Sequence, residues 1–301
     1  MPNAKPAALP PDCVIGGYTI LRKLAAGGFG LVYLARAPGG AQVALKEYLP
    51  SALATRAAGQ LQPQVLPDKL SLYRLGLKRF LEEGRSLAQI SHPSVVGVRD
   101  FLCENETVYL VMNYLEGASL QDFINTAREL AQPTIFSQAT ILSLFEEVLR
   151  GLRVVHQHKM LHLDIKPDNI FITDDNLSVL VDFGASREAL RLESQHMAPM
   201  YTPGFAAPEM YRRDGAVGPW TDIYAIGACM YACMMGQAPD AYPLRMETEG
   251  MTGALARLRD HYCGWLLEAV AWCMELAPEA RPQTVFALQH ALSRGFETTP
   301  G

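Results

Sequence analysis

The amino-acid sequence predicts an α+β fold in which a small β-rich lobe precedes a larger helical lobe. Between Tyr18 and about Met112, short runs of β-forming residues are separated by glycine-containing turns. After Gly117, apolar residues recur at helical spacing instead. Of the 301 residues, 49% are apolar and 19% are charged, a composition that supports a hydrophobic core and argues against extended disorder.

The first lobe is predicted to contain a sheet and one main helix. Three β-rich runs are followed by a polar Pro/Gln/Ala segment, residues 50–68, which we interpret as an exposed insert. From Leu70 to Ile90 the apolar period becomes helical, and two further β-rich runs around a short acidic turn predict a hairpin. The predicted strands of this lobe are residues 18–24, 31–36, 42–48, 96–104 and 107–114.

The second lobe is predicted to be mainly helical. Apolar residues recur at helical spacing over residues 141–155, and residues 222–235 are apolar on nearly all sides, which predicts a buried helix. His156 and His158 are interpreted as capping or solvated residues at a helix end rather than metal ligands. The chain organisation predicts a flexible lead over 1–15, a first lobe over 16–115, a second lobe over 116–294 and a tail over 295–301.

Charge and cysteine content restrict the partners and the compartment. The net charge is −5 and no block of Lys or Arg occurs, which argues against nucleic acid or an anionic membrane as the main partner. The six cysteines form no CxxC motif and are predicted to be reduced thiols of a cytoplasmic protein. The longest apolar stretch, residues 223–235, is far shorter than the roughly 20 residues of a membrane span. The sequence sets no oligomeric state.

Two features of the first lobe suggest a phosphate-binding site. The run AAGGFGLV contains Gly27, Gly28 and Gly30 between two predicted strands, where backbone N–H groups can approach a polyphosphate because no Cβ intervenes. An ordinary hairpin turn is an equally good interpretation of this run alone. In the following strand, Ala44 and Lys46 share one face, which suits a flat ring with phosphates beyond it. Taken alone, Lys46 is more simply a surface lysine.

Glu83 is a candidate partner for that lysine. On a helix, Glu83 falls on the same apolar stripe as Phe80, Leu87 and Ile90, whereas the neighbouring Glu82 points elsewhere. A carboxylate that faces the core is costly without a partner. Lys46 is the obvious candidate, and a purely structural ion pair is the alternative.

The strongest signal is the sequence HLDIKPDN, followed by a predicted strand, a turn and the sequence VLVDFG. In this pattern Asp164 can orient an incoming hydroxyl and accept its proton. Lys166 can neutralise a phosphoryl group in transfer, while Asn169 and Asp182 can hold Mg²⁺. A chance match to the whole set is rare.

This combination resembles the catalytic core of protein kinases, in particular the eukaryotic-like Ser/Thr kinases of bacteria. The resemblance extends from about Val14 to Leu292. It implies the two-lobed protein kinase fold, with an antiparallel N-lobe sheet and a helical C-lobe. It also implies that Asp164 is the catalytic aspartate, that Lys46 holds the α- and β-phosphates, and that Glu83 pairs with Lys46.

The resemblance further implies an ATP site with Mg²⁺, or alternatively Mn²⁺, at Asn169 and Asp182. Met112 takes the gatekeeper place, and residues 113–115 form the hinge whose backbone binds adenine. The nucleotide-binding residues implied in this way are Leu24, Ala25, Gly27, Gly28, Phe29, Gly30, Val32, Ala44, Lys46, Met112, Asn113, Leu115 and Phe171.

An activation segment is implied between Asp182 and the sequence APE that ends at Glu209. Within it, Thr202 begins a TPG stretch that faces the substrate. Asp222 opens the buried helix that braces the catalytic loop, and Arg281 fits the usual ion-pair partner of Glu209.

Three departures from the family pattern occur. Ala25 replaces the first glycine of the loop, the stretch between Lys46 and Glu83 is longer than usual, and Leu163 stands where most kinases carry Arg. Leucine cannot pair with a phosphate, so we expect the activation segment to need no phosphorylation for activity. The acceptor and arginine residues that remain in the segment are Ser186, Ser194, Thr202, Arg187 and Arg191.

The expected activity is transfer of the ATP γ-phosphoryl group to Ser or Thr hydroxyls of proteins, including autophosphorylation. Lys166, two residues after Asp164, favours Ser/Thr over Tyr specificity by the same resemblance. One alternative is a pseudokinase scaffold that binds nucleotide without turnover, although such proteins usually lack one of the motif residues. A small-molecule kinase on a related fold is the second alternative, and the APE segment with its preceding TPG disfavours it.

Overall fold

The computed structural model describes residues 6–130, 136–184, 201–212, 214–246 and 250–297. Within these ranges the chain forms two compact units. The first contains residues 6–91 and 96–116, and the second contains residues 92–95 and the described residues after 116. No helix in the described ranges is long and apolar enough to cross a membrane. All six cysteines lie in these ranges as free thiols.

The first unit is built on a six-stranded antiparallel sheet with strand order β1-β2-β3-β4-β8-β7. A two-stranded hairpin, β5–β6, lies outside this sheet. The strands are β1 (Val14–Ile15), β2 (Tyr18–Gly27), β3 (Gly30–Arg36), β4 (Gln42–Tyr48), β5 (Ala54–Thr55), β6 (Gln64–Val65), β7 (Val98–Glu104) and β8 (Thr107–Asn113).

One face of the sheet packs against helix α1 (Leu70–Leu87), which follows a 3₁₀ turn at Pro67–Lys69. The Lys46 ammonium lies 5.4 Å from the centroid of the Phe80 ring, and the Tyr48 ring lies 5.5 Å from the same ring. Gly84 permits this close approach, because a Cβ there would lie 2.4 Å from the Leu110 Cδ2 atom. The predicted inward stripe of α1 is confirmed, since Phe80, Glu83 and Leu87 are all buried.

The opposite face of the sheet is also covered, which the sequence did not predict. Residues 50–68 were expected to be exposed, but Leu53 and Arg56 in this insert are buried. Residues 1–15 were expected to be a flexible lead, but Leu9 is buried and β1 pairs with β2. The interpretation of the insert as an exposed excursion is therefore wrong for its buried residues, because Arg56 binds a carboxylate on the sheet.

The second unit is mainly helical, as predicted, with one three-stranded antiparallel sheet in the order β11-β10-β9. Its strands are β9 (Gly117–Ser119), β10 (Ile170–Thr173) and β11 (Ser178–Leu180). Its described helices are α2 (Leu120–Glu129), α3 (Gln138–Gln157), α4 (Pro219–Met235), α5 (Tyr242–Arg245), α6 (Gly250–Ala256), α7 (Gly264–Cys273) and α8 (Val285–Glu297), with 3₁₀ turns at Pro167–Asn169, Pro208–Tyr211 and Pro278–Ala280.

Helix α4 is the central element of this unit, and the prediction that it is buried is confirmed. Every residue from Thr221 to Met234 is buried. Gly227 lets α7 approach closely, because a Cβ there would lie 2.6 Å from the Cys273 Cβ atom. The helix ends at Gly236, whose φ of 72° is the left-handed conformation common after a helix C-terminus. The last helix, α8, runs to Glu297 and thus beyond the expected domain boundary at residue 294.

Candidate active site

The carboxylate of Asp222, in the first turn of α4, holds the loop that follows α3. Its Oδ2 atom accepts a hydrogen bond of 2.9 Å from the His162 backbone N–H, and its Oδ1 atom accepts one of 2.8 Å from the Leu163 N–H. The His156 Nε2 atom lies 2.8 Å from Oδ2. Asp222 itself is 1% exposed. This buried charge therefore has three hydrogen-bond partners, as a buried carboxylate requires.

The pKa of Asp222 lies below its usual range. Burial by itself would raise this pKa, but the hydrogen bond and the charge of His156 lower it, and the backbone N–H of His162 lowers it further. Asp222 is therefore ionised at neutral pH. His156 was interpreted from the sequence as a capping or solvated residue, which is wrong because its ring contacts Asp222. His158, by contrast, bonds the Val154 carbonyl at the end of α3, as a capping residue does.

Leu163 and Asp182 both have left-handed backbone conformations, with φ values of 59° and 57°. Such conformations are unfavourable for residues with a Cβ and persist where the surroundings hold them in place. The Leu163 N–H is held by Asp222, and the Gly184 N–H donates to the His162 carbonyl over 2.7 Å. A Cβ at Gly184 would lie 2.9 Å from the Asp164 Cβ atom, so the two segments approach closely only because residue 184 is glycine.

Asp164, Lys166 and Asn169 form one hydrogen-bonded cluster. The Asn169 Nδ2 atom donates to the Asp164 carboxylate (2.7 Å) and to the Asp164 backbone carbonyl (2.8 Å). The Lys166 ammonium lies 3.3 Å from Asp164 Oδ2 and 3.2 Å from the Thr202 hydroxyl. The sequence predicted these three residues as neighbours, and the family resemblance implied that Thr202 faces the substrate; in the structure the Thr202 hydroxyl contacts Lys166.

His162 connects this cluster to the DFG segment. Its ring stacks on Phe183 with 4.3 Å between the centroids, and its Nε2 atom lies 3.1 Å from the Val181 carbonyl. The Nδ1 atom accepts a hydrogen bond of 3.3 Å from the Asp164 N–H, so Nε2 is the nitrogen that donates to Val181. His162 is fully buried and acts as a spacer between the two segments. No role for His162 was predicted from the sequence.

Asn169 and Asp182 provide a donor set that suits a hard divalent cation. The Val181 N–H donates to the Asn169 carbonyl over 3.0 Å, which brings the two segments together. Because Nδ2 of Asn169 is used by Asp164, its amide oxygen is the atom left for an ion. Among the described residues no group of three or more His, Cys, Asp or Glu side chains could hold a metal. An amide and a carboxylate oxygen fit Mg²⁺, which keeps several waters and binds substrate phosphates.

The end of the predicted activation segment is fixed by a buried ion pair. Arg281 binds both carboxylate oxygens of Glu209, at 2.8 and 2.9 Å, and Thr221 donates to Glu209 over 2.7 Å. The prediction that Arg281 pairs with Glu209 is confirmed. Ser186, Arg187, Arg191 and Ser194 lie outside the described residues.

In the first unit, the predicted phosphate-binding loop is a tight hairpin. Gly27 pairs with Gly30 across a turn formed by Gly28 and Phe29. Gly30 is needed for packing, because a Cβ would lie 1.9 Å from the Glu47 carbonyl oxygen, whereas a Cβ at Gly27 would meet nothing within 4 Å. The close approach of β4 therefore requires glycine at position 30. At position 27 the space beside the backbone is open.

The other predicted nucleotide residues lie on the strands of this sheet. Ala44 is paired with Met112, and Val32 is paired with Lys46. The Asn113 N–H donates to the Gly97 carbonyl. The remaining predicted residues are distributed between the first unit (Leu24 on β2, Leu115 after β8) and the second (Phe171 on β10).

Lys46 and Glu83 lie on facing elements of the first unit. Glu83 is 6% exposed on the sheet-facing side of α1, three residues after Phe80. Lys46 projects over the Phe80 ring from β4. The arrangement agrees with the expected pairing, and the catalytic role of the two residues stays a prediction.

Comparison with known proteins decides the family. The family model of the protein kinase domain matches residues 18–292. The chain belongs to the protein kinase family. The serine/threonine-protein kinase pkn2 of Myxococcus xanthus is 29% identical over 97% of this chain and 35% of that protein. The serine/threonine-protein kinase PknD of Chlamydia caviae is 32% identical over 71% of this chain and 24% of that protein.

Solved kinase structures confirm the two-lobed kinase fold. PpkA-294 in its apo form is 32% identical, with a TM-score of 0.83, over 95% of this chain and 99% of that one. The PknI kinase domain of Mycobacterium tuberculosis has a TM-score of 0.70 at 23% identity, over 95% of this chain and 99% of that one. The chain is thus a bacterial-type, eukaryotic-like Ser/Thr kinase domain, spanning about a third or less of the curated relatives named above.

Family membership implies the use of ATP and of a divalent metal ion. The relatives are named as Ser/Thr protein kinases, so the comparisons give no support to the pseudokinase or small-molecule kinase alternatives. Among the departures from the family pattern, Ala25 is accommodated within β2, where it pairs with Val32. Leu163 keeps its place through its backbone, which needs no charged side chain.

We predict that replacing Asp222 by Asn lowers the free energy of unfolding by about 3 kcal/mol at pH 7, because the buried carboxylate's charge-assisted hydrogen bonds to two backbone N–H groups are lost. The pKa of Asp222 is lowered in the folded state, so its stabilisation is fully present above the ordinary carboxyl pKa. It is lost as the pH falls from about 4 through the lower folded pKa. Urea unfolding at pH 7 and near pH 3 measures the difference.

Asp175→Asn is the matched control, because Asp175 is exposed on the same unit. It should change the free energy of unfolding little at either pH. An Asp222→Asn destabilisation that is equally large at both pH values would contradict the electrostatic explanation.

Proposed function

We propose that this kinase domain transfers the γ-phosphoryl group of ATP to Ser and Thr hydroxyls of proteins, with Mg²⁺ at Asn169 and Asp182. The cluster of Asp164, Lys166 and Thr202 supports this proposal most directly. The DFG segment lies against the same loop through the His162–Phe183 stack. We assign nucleotide binding to residues 16–115 and the catalytic and activation segments to residues 116–294.

Asp164 would act on the acceptor hydroxyl. Asn169 and Lys166 both bind its carboxylate, which limits the orientations that the carboxylate can take. A carboxylate held in this way can orient the hydroxyl and accept its proton as the oxygen attacks the γ-phosphorus. The Thr202 hydroxyl, which accepts a hydrogen bond from Lys166, would help to place the acceptor side chain.

Charge neutralisation would be the second contribution of these residues. The Lys166 ammonium lies beside the Asp164 carboxylate, which would bind the acceptor hydroxyl. From there the ammonium can stabilise negative charge on the phosphoryl group during transfer. Lys46, from β4, would bind the α- and β-phosphates, with Glu83 orienting it. When bound, Mg²⁺ neutralises phosphate charge. The substrates and partners are proposed to be proteins with Ser or Thr acceptors.

The experiment that tests the function is phosphoryl transfer from labelled ATP to a generic protein acceptor, followed by phosphoamino-acid analysis. Asp164→Asn should reduce transfer by at least about 100-fold, because general-base positioning is lost, while MgATP affinity stays within about twofold. Asp182→Asn should weaken metal-dependent nucleotide binding as well. Asp168→Asn, at an exposed position in the same loop, is the control. An equal loss of nucleotide affinity in the Asp164 and Asp182 variants would contradict this division of roles.

Lys46→Met should reduce phosphoryl transfer by about 100-fold, because the Lys46 ammonium is needed to bind the α- and β-phosphates of ATP. The fold should remain intact, since methionine can pack on the Phe80 ring that the lysine side chain now covers. Autophosphorylation rates and melting temperatures test the two halves of this statement. Lys23→Met, which removes an exposed lysine from β2, provides the comparison. Autophosphorylation of Lys46→Met close to that of the wild type would refute the assignment of Lys46.

Phosphatase treatment should leave the initial rate within about twofold of that of untreated enzyme. Leu163 is held through its backbone by Asp222, and its side chain cannot form a charge-assisted pair with a phosphate. Ser186→Ala and Ser194→Ala should likewise be close to neutral, whereas Thr202→Ala should reduce the rate through its contact with Lys166. Initial rates must be measured before autophosphorylation recovers. A tenfold loss on dephosphorylation, equivalent to about 1.4 kcal/mol, would disprove the idea.

A further inference from the structure

A carboxylate is buried on the face of the first unit's sheet that is opposite α1. Glu47 directly follows Lys46 on β4, so the two side chains point to opposite faces. Glu47 is 0% exposed, and its neighbours Tyr33 and Leu45 are equally buried. A charge in such surroundings persists only with a partner of opposite charge and further hydrogen bonds.

Arg56, from the insert that separates β4 from α1, supplies that charge. Its guanidinium binds both carboxylate oxygens of Glu47, and one of its nitrogens also donates to the Tyr33 hydroxyl over 2.8 Å. The remaining N–H groups donate to the carbonyls of Leu61 (3.3 Å) and Ala7 (2.9 Å). The Tyr33 hydroxyl donates to Glu47 over 2.8 Å. All five guanidinium N–H groups therefore have acceptors, which only a forked side chain can achieve here.

The same cluster attaches the N-terminal segment to the sheet. The Ala7 N–H donates to the Arg56 carbonyl over 3.0 Å, and the Leu9 N–H donates to the Tyr33 hydroxyl over 3.1 Å. Burial lowers the pKa of Arg56, but the hydrogen bond and the charge of Glu47 raise it by more, so the guanidinium stays charged. Arg56 thus joins the insert, β3, β4 and the N-terminal segment.

The insert also contacts the proposed phosphate-binding loop. The Ser51 N–H donates to the Gly28 carbonyl, and the N–H of Leu49, the residue just before the insert, donates to the Phe29 carbonyl, each over 3.0 Å. At its other end, the insert leads through the 3₁₀ turn at Pro67–Lys69 directly into α1, which carries Glu83. One segment anchored at Arg56 is therefore bonded to the glycine-rich turn and continuous with both β4 and α1.

We infer that Arg56 is a positioning residue for nucleotide binding. By pairing with Glu47 it anchors the insert, and the insert holds the glycine-rich turn, Lys46 and the start of α1 in one arrangement. The inference rests on the proposed function, in which these elements bind the phosphates of ATP. It assigns Arg56 no contact with the nucleotide.

The test measures binding of a fluorescent ADP analogue, which requires no turnover, together with steady-state kinetics. Arg56→Met should raise the dissociation constant and the KM for ATP about tenfold, while the KM for the acceptor protein stays within about twofold. Arg56→Lys keeps the positive charge but loses the planar guanidinium with its five N–H donors. Its dissociation constant should therefore lie between those of the wild type and Arg56→Met. Arg22→Met, at an exposed position on β2 of the same sheet, should match the wild type.

The double variant Glu47→Gln/Arg56→Met separates positioning from stability. It removes both buried charges, so its melting temperature should recover relative to Arg56→Met. Its nucleotide affinity should stay low, and the Leu49 and Ser51 amides should exchange hydrogen faster than in the wild type. If nucleotide affinity recovers together with the melting temperature, or if Arg56→Met binds nucleotide like the wild type, the inference is overturned. Normal nucleotide binding without any transfer in the wild type would instead count against the proposed function alone.

Discussion

The geometry of the catalytic loop depends on the hydrogen bonds that the buried Asp222 carboxylate accepts from the loop backbone. The carboxylate accepts hydrogen bonds from two consecutive backbone N–H groups and contacts the His156 ring. This support holds Leu163 in a left-handed conformation that a residue with a side chain would otherwise avoid. Because the loop is held through its backbone, a leucine at position 163 leaves Asp164 in place beside Lys166.

Each unit also contains an arginine–carboxylate pair that joins segments distant along the chain. Arg281 binds Glu209 in the second unit, and Arg56 binds Glu47 in the first. A buried pair of this kind adds little net stability compared with an apolar packing, but the loss of one partner is severe. Such pairs therefore favour one packing of the segments over others, here for the end of the activation segment and for the insert after β4.

Much of the fold and most of the catalytic loop could be predicted because the relevant patterns are local. The apolar stripe of α1 placed Glu83 on the buried face, and the uniformly apolar run after Asp222 predicted the central helix α4. The insert was predicted wrongly for a physical reason. Its composition is polar, and nothing in local composition distinguishes a solvated arginine from Arg56, which is buried because a carboxylate from another strand faces it.

The sequence by itself determined the residues that can carry the chemistry. Asp164, Lys166 and Asn169 lie within six positions of one another, so a single loop brings them together. The resemblance to protein kinases also implied that Asp222 braces this loop and that Thr202 faces the substrate. Only the tertiary structure showed that His156 binds Asp222 and that Arg56 binds Glu47 on the sheet of the first unit. The physical reason is that periodicity and short spacing are properties of the chain itself, whereas the partner of a buried charge depends on which separate segments pack against each other.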